Sequence, residues 1–344
     1  MQRTLLALAA LGAATGAMAQ SSSVNLFGVV DASLAHISTK DGSVTGMANG
    51  GNSSSRLGFR GVEDLGNGLK AGFWLEGGVN VDDGGSGFKF ERRSTISLLG
   101  DFGELRLGRD KTPAYQNLDS FHAFGDTGMG AINGHNLISS SADGTLEGSN
   151  PKRTSNSVSY LLPKMNGIYG QASYAFGEKA KGNSNSLSSS MGVRLGYANG
   201  PLNVALGYGL VKGGTAADTV NYKNFNLGAS YNFGGFTPMV LLASERGNQQ
   251  RVDLFSVGVK APAGPGELRA AVTWYKDKKR DERDSMRLAL GYGYRLSKRT
   301  ELYATLAHMR NDDNANRKLG TSLAHSVVAG KNVTGYELGL RHSF

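Results

Sequence analysis

Apolar and polar residues alternate one by one along much of this chain. In the final segment Tyr336, Leu338, Leu340, His342 and Phe344 share one face, and Glu337, Gly339, Arg341 and Ser343 share the other. A two-residue period is the signature of a β-strand with one apolar and one polar face. The same pattern sets Phe73 and Leu75 against Lys70, Trp74 and Glu76, and Ile96 and Leu98 against Arg93, Thr95 and Ser97. It sets Leu105 and Leu107 against Glu104 and Arg106, and Leu288 and Leu290 against Arg287 and small residues. Beyond the first residues no stretch sustains a helical period. The pattern predicts sixteen strands, near 24–37, 54–62, 69–80, 91–100, 103–110, 154–162, 168–177, 189–199, 201–211, 223–233, 236–246, 252–261, 266–276, 284–296, 300–310 and 332–344. Most have the ~9–11 residues that a tilted strand needs to cross a bilayer.

The connections alternate in length. Short ones fall at 64–68, 101–102, 164–167, 200, 234–235, 262–265 and 297–299, and carry the Gly, Asn, Asp and Pro that tight turns require. Longer polar ones fall at 38–53, 81–90, 111–153, 178–188, 212–222, 247–251, 277–283 and 311–331. Seven short turns and eight long loops are what sixteen antiparallel strands need. Turns on one side and loops on the other mark a barrel set in an outer membrane. Lipid cannot satisfy an open row of backbone N–H and C=O groups, so the sheet must close, and strand 332–344 is expected to pair with 24–37.

Composition agrees with this picture. Glycine makes up 50 of 344 residues, and there is no cysteine, which excludes a disulfide scaffold. Mean hydropathy is −0.29. That is too polar for a bundle of membrane helices but natural for strands with only alternate residues facing lipid. Residues 1–19 read as a signal peptide, with Arg3 ahead of a short apolar run and Ala17-Met18-Ala19 as the small-x-small cleavage site. The mature barrel, a single domain, is then 20–344. The formal charge of +9 raises nucleic-acid binding, but the Lys and Arg residues are scattered and the chain is exported, so no nucleic-acid partner is expected.

Several stretches resemble the general porins of Gram-negative bacteria, in particular the anion-selective porins of β-proteobacteria. They are Val24 to Asp31 (VNLFGVVD), Ser55 to Ala71 (SRLGFRGVEDLGNGLKA), Gly100 to Arg109 (GDFGELRLGR) and the closing His342-Ser343-Phe344. The second is the most specific. The resemblance implies an all-β fold, a sixteen-stranded antiparallel transmembrane barrel with short periplasmic turns, long extracellular loops and a third loop folded into the lumen. It further implies a homotrimer, passive diffusion of small hydrophilic solutes and ions, a setting of lipid and lipopolysaccharide, and a terminal aromatic, here Phe344, read by the barrel assembly machinery. The third loop, 111–153, far exceeds the ~12–15 residues beyond which a loop needs a functional reason, and Phe121, Phe124 and Ile132 give it apolar anchors.

The candidate chemistry is a constriction of opposed charges. Arg56, Arg60 and Arg93 fall on polar strand faces, and Arg153 lies where the third loop returns to the wall. The resemblance carries an arginine cluster onto Arg56, Arg93 and Arg153, and an acidic wall residue onto Glu76. Asp119 and Asp126 are loop acids placed to face the arginines. Guanidinium stays charged at any working pH, and a ring of such groups in a narrow wet pore favours anions over cations. The bland reading is a set of solvated lumen arginines. No cofactor or metal is expected. Asp312, Asn314 and Asn316 begin like a calcium loop, but Arg317 stands where the glycine belongs and Leu323 where the bidentate acid belongs, so 311–331 reads as a solvated loop. His308 and His342 raise an outward-facing hydrolase, but no serine motif accompanies them. The expected function is therefore an anion-favouring outer-membrane porin. The alternatives are a substrate-specific channel and a plugged structural or adhesin barrel.

Overall fold

A computed structural model describes residues 23–85, 87–133, 137–138, 151–163, 165–177, 189–214 and 219–344. The expected signal peptide, 1–19, lies outside the described residues. Seventeen strand segments form one sheet. They are β1 (Ser23–Thr39), β2 (Gly42–Asn49), β3 (Arg56–Gly66), β4 (Leu69–Gly78), β5 (Arg93–Gly100), β6 (Gly103–Lys111), β7 (Arg153–Leu161), β8 (Ile168–Ala175), β9 (Ser190–Asn199), β10 (Leu202–Gly214), β11 (Thr219–Tyr231), β12 (Thr237–Gly247), β13 (Gln250–Ala263), β14 (Gly266–Asp277), β15 (Ser285–Arg295), β16 (Thr300–Asn311) and β17 (Val333–Ser343). One short helix, α1 (Pro113–Ser120), follows β6.

β2 and β3 are two halves of one barrel strand. The upper part of β1 pairs with β2, from Ala32↔Asn49 to Thr39↔Gly42, and its lower part with β3, from Ser23↔Val62 to Val29↔Arg56. The barrel therefore has sixteen antiparallel strands. It closes through β1 and β17 in the register Val29↔Ser343 to Thr39↔Val333. Phe344 completes the seam: its N–H donates to the Gly28 carbonyl at 3.1 Å and its carbonyl accepts from Gly28 N–H at 3.0 Å. Its ring lies where a Gly28 Cβ would stand.

Burial is inverted relative to a soluble protein. Tyr336 and Leu338 are 57% and 62% exposed, whereas Asp31 and Glu337 are buried at 0% and 2%. The apolar face thus looks toward lipid and the polar face toward the lumen, as the period-2 pattern predicts.

Four connections differ from the sequence expectation. The segment 38–53 is a tight turn, Thr39 to Gly42, followed by β2. Its residues Gly42-Ser43-Val44-Thr45-Gly46-Met47-Ala48-Asn49 are too small and polar to announce a strand. The segment 247–251 shrinks to a two-residue turn, with Asn248 and Gln249 at φ +49° and +58° and Gly247 paired to Gln250. The connection expected at 212–222 shortens because β10 and β11 extend to Gly214 and Thr219. Loop 312–332 is not simply solvated: Ala315, Arg317, Leu319 and Val327 are buried. It folds inward onto the third loop, where Asn133 donates to the Lys318 carbonyl and Arg317 Nη2 donates to the Leu137 carbonyl at 2.9 Å.

A candidate pore constriction

The third loop enters the lumen because its own caps and anchors turn it there. The Thr112 hydroxyl caps α1 by accepting from Tyr115 N–H, and Pro113 opens the helix where a missing N–H costs nothing. α1 lies against β8 to β11. Asn117 donates to the Ala205 carbonyl at 3.0 Å and to Asn226 Oδ1 at 2.7 Å, and Asn226 returns a bond to the Ala114 carbonyl at 2.9 Å. Two glycines make room for aromatic anchors: a Cβ on Gly228 would fall 2.2 Å from the Phe121 ring, and one on Gly291 2.8 Å from Phe124. Further along, Met129 N–H donates to Glu337 Oε1, Tyr275 OH donates to the Ile132 carbonyl at 2.6 Å, and Leu137 N–H donates to Glu245. Ile132 is fully buried.

A second segment reaches inward from the opposite wall. Between β2 and β3 the chain leaves the sheet at 50–55. The Asp31 carboxylate gathers it by accepting from Gly51, Asn52 and Ser53 N–H, while Tyr303 OH donates to the same group at 2.5 Å. A buried carboxylate needs such donors to stay charged. The loop tip meets this bulge: Ser54 and Thr127 hydroxyls stand 3.3 Å apart, and Gly128 packs on the Gly51 carbonyl. Arg56 sits at the end of the bulge, with its Nη1 donating to Ser53 Oγ and the Ser54 carbonyl.

The charges then sort into two tiers. In the upper tier Glu76 is the hub. Arg92 Nε lies 2.7 Å from its Oε1, Arg56 Nε 3.9 Å from the same oxygen, and Trp74 Nε1 donates to its Oε2 at 3.3 Å. Arg153 lies within electrostatic reach of Arg92, Arg109, Glu76 and Asp126, and its buried Nε has no hydrogen-bond partner among the described residues. From the loop, Asp126 accepts from Tyr115 OH and pairs with Lys152 at 3.4 Å. Burial works to raise the Asp126 carboxyl, but Lys152 and Lys111 outweigh it and hold the group below the usual carboxylate range. A recess of 410 Å³ opens beside this tier, lined in part by Ser54, Arg92, Asp126 and Lys152.

Arg93 and Arg60 belong to a lower tier. Arg93 turns onto the Trp74 ring at 4.4 Å and lies 3.6 Å from Asp110. Arg60 lies over Trp74 at 5.0 Å and Phe27 at 5.3 Å. Asp119 pairs with Lys111 at 2.9 Å rather than with an arginine. Of the residues singled out from sequence, the structure brings together Arg56, Arg153, Glu76 and Asp126. It sets Arg60 and Asp119 apart, and Arg93, paired with Glu76 in the β4–β5 register, turns its guanidinium away onto Trp74 and toward Asp110. Sequence reasoning missed Arg92, Lys152 and the bulge-gathering Asp31. The tandem Arg92-Arg93 was the available signal for the first.

Among the described residues no group of acids and histidines is placed to hold a metal ion. His308 and His342 each meet a neighbouring threonine, Thr334 at 2.8 Å and Thr300 at 2.9 Å.

A closed sixteen-stranded barrel, apolar outside, with a charge-lined lumen narrowed by an infolded loop, defines an outer-membrane porin. The model of the Gram-negative porin family matches residues 6–314, and the chain belongs to that family. It is 41% identical to outer membrane porin protein 32 of Delftia acidovorans over the full length of both. It is 30% identical to an outer membrane porin protein of Bordetella pertussis, over 94% of this chain and 100% of that one. Among solved structures, the anion-selective porin from Comamonas acidovorans superposes with a TM-score of 0.86 at 39% identity, covering 94% of this chain and 100% of that one. The protein is a water-filled channel of the outer membrane.

Proposed function

We propose that this porin passes small hydrophilic solutes with a preference for anions, and that Arg56, Arg92 and Arg153, with Lys152 beside them, set that preference. The observation that carries the reading is the charge balance of the upper tier, in which these four cations stand against Glu76 and Asp126. Excess positive charge in a narrow, partly desolvated passage lowers the barrier for anions and raises it for cations. Arg60 and Arg93 add positive potential below this tier, and Asp119 tempers it from the loop. A reversal potential in a salt gradient across a planar bilayer tests this. Its sign should report chloride as the more permeant ion, and a cation-directed sign would refute the proposal.

The chain is proposed to act as a homotrimer. Supporting this, His36, stacked on Tyr336 at 5.1 Å and bonded to Thr45, stands on the outward face with His308 and Thr334. Lipid would leave such polar groups poorly solvated, whereas a subunit contact can satisfy them. Residues 1–19 are proposed as the leader removed on export, Phe344 as the feature read by the barrel assembly machinery, and the basic loop residues around Lys278 and Lys279 as contacts for lipopolysaccharide. No catalytic activity is proposed.

A further inference from the structure

Just below the upper tier, toward the short turns, the lumen wall holds a recess of 430 Å³. It is built by the inward faces of β1, β3, β4, β5 and β6. Its walls differ in kind. One is aromatic: Trp74 lines the recess, and Phe27, outside the lining, backs it edge to face at 5.1 Å. Aliphatic surface comes from Val62 and Leu99, and the remainder is charged, from Arg60, Arg93, Arg106 and Glu104.

The three guanidiniums are not equivalent. Arg106 is committed to Glu104 at 2.8 Å and Asp110 at 2.6 Å. Arg93 donates to Thr95 and faces Asp110 at 3.6 Å. Arg60 is exposed, and among the described residues it makes no ion pair or hydrogen bond. Its contacts are the faces of Trp74 and Phe27. A guanidinium that contacts only aromatic rings keeps its N–H groups free, and these match a carboxylate in bidentate fashion. Three cations against two carboxylates leave one uncompensated positive charge, which suits a monoanion. The adjoining indole and aliphatic surface offers nothing to a small inorganic ion but is favourable to a flat ring.

We propose that this recess is a binding site for small aromatic monocarboxylates. Arg60 takes the carboxylate, and Trp74, Val62 and Leu99 take the ring, so that such acids dwell in the lumen on their way through. A recess of this size accommodates a single substituted benzene ring with ease. The proposal rests on the anion-favouring lumen described above, and it names a class of solute that the lumen retains rather than merely admits.

The test is the chloride current of the bilayer-inserted protein, titrated separately with benzoate, acetate and benzamide. Acetate supplies the charge without the ring, and benzamide the ring without the charge. Benzoate should depress the current saturably, while the other two should not at equal concentration. Arg60→Gln should weaken the benzoate effect about tenfold or more, equivalent to ~1.4 kcal/mol, and Trp74→Leu should weaken it several-fold. Equal action of acetate or benzamide, an unchanged benzoate effect in Arg60→Gln, or no benzoate effect at all would each overturn the site. The current in plain chloride, measured first, shows separately whether the channel is open and anion-favouring.

Discussion

Arg92 and Glu76 are joined twice. The Arg92 N–H donates to the Glu76 carbonyl at 3.1 Å, and its Nε donates to the carboxylate at 2.7 Å. The chain entering β5 is thereby folded back on β4, and a guanidinium is held at the lumen wall rather than released into it. Arg56 shares the same carboxylate. Glu76 therefore both tempers the positive charge of the passage and fixes its position.

Glu76→Gln removes one negative charge from the upper tier and keeps the side-chain shape. Partly screened interactions at such separations amount to roughly 1–4 kcal/mol before salt. The anion-to-cation permeability ratio should rise a few-fold at low ionic strength, and current noise should increase as Arg92 loses its anchor. Reversal potentials at two salt concentrations check this.

The two tiers predict unequal effects for neighbouring arginines. Arg92 faces the passage, whereas Arg93 lies on Trp74 and is countered by Asp110. Arg92→Gln should lower anion selectivity clearly more than Arg93→Gln. Reversal potentials of the two variants, measured side by side, decide it, and a larger effect at Arg93 would mean that the lower tier controls selectivity.

Loop entry depends on the space left by Gly228. A Cβ there would stand 2.2 Å from the Phe121 ring, closer than van der Waals contact allows, and the clash lies against a buried anchor. Gly228→Val should push α1 and the following turn off the wall. Single-channel conductance should then change by a factor of about two, while the barrel stays folded, since overpacking costs of ~1–3 kcal/mol are local. An unaltered conductance would show that Phe121 does not govern the width of the passage.

Period-2 alternation made the barrel legible, because lipid on one side and water on the other impose opposite demands on alternate residues. It set Arg56 and Glu76 on lumen-facing positions, whereas Arg153, just ahead of the expected strand 154–162, came from the family resemblance. It failed where the chain leaves the ladder. Arg92 precedes the regular pairing of β5, which begins at Arg93, so strand parity does not bind it, and both parity and the family resemblance pointed to Arg93 instead. The bulge at 50–55 is Gly-Gly-Asn-Ser-Ser-Ser, which reads as an exposed loop. The buried Asp31, 20 residues or more away in sequence, turns it inward, and Glu301 and Arg269 hold Asn52 from farther still. Loop 312–332 looked solvated because its apolar residues are sparse, yet Leu319 and Arg317 are buried against the third loop, and Arg317 stacks on Tyr275 at 4.5 Å. Such long-range docking leaves little local trace.

His122 ties loop anchoring to pH. It is buried, its Nε2 lies 3.3 Å from Thr273 Oγ1, and burial together with Arg287 and Lys260 holds its pKa well below the ordinary 6.5. The anchored loop keeps this ring neutral, whereas a displaced loop would protonate it near 6.5. Anchoring is therefore at full strength above about pH 6.5 and weakens as pH falls below it. Conductance fluctuations should grow as the pH is lowered from neutral, and His122→Asn should show a smaller slope. An identical slope in the variant would remove His122 from the account.

On the proposed reading, the charges gathered around Glu76 set the ion preference of the pore. The most direct measurement is the reversal potential of the triple variant Arg56→Gln, Arg92→Gln, Arg153→Gln beside the parent, in the same salt gradient. The parent should favour chloride, and the variant should lose that preference or turn toward cations while its barrel remains intact. A variant that keeps the parent's reversal potential would contradict the account.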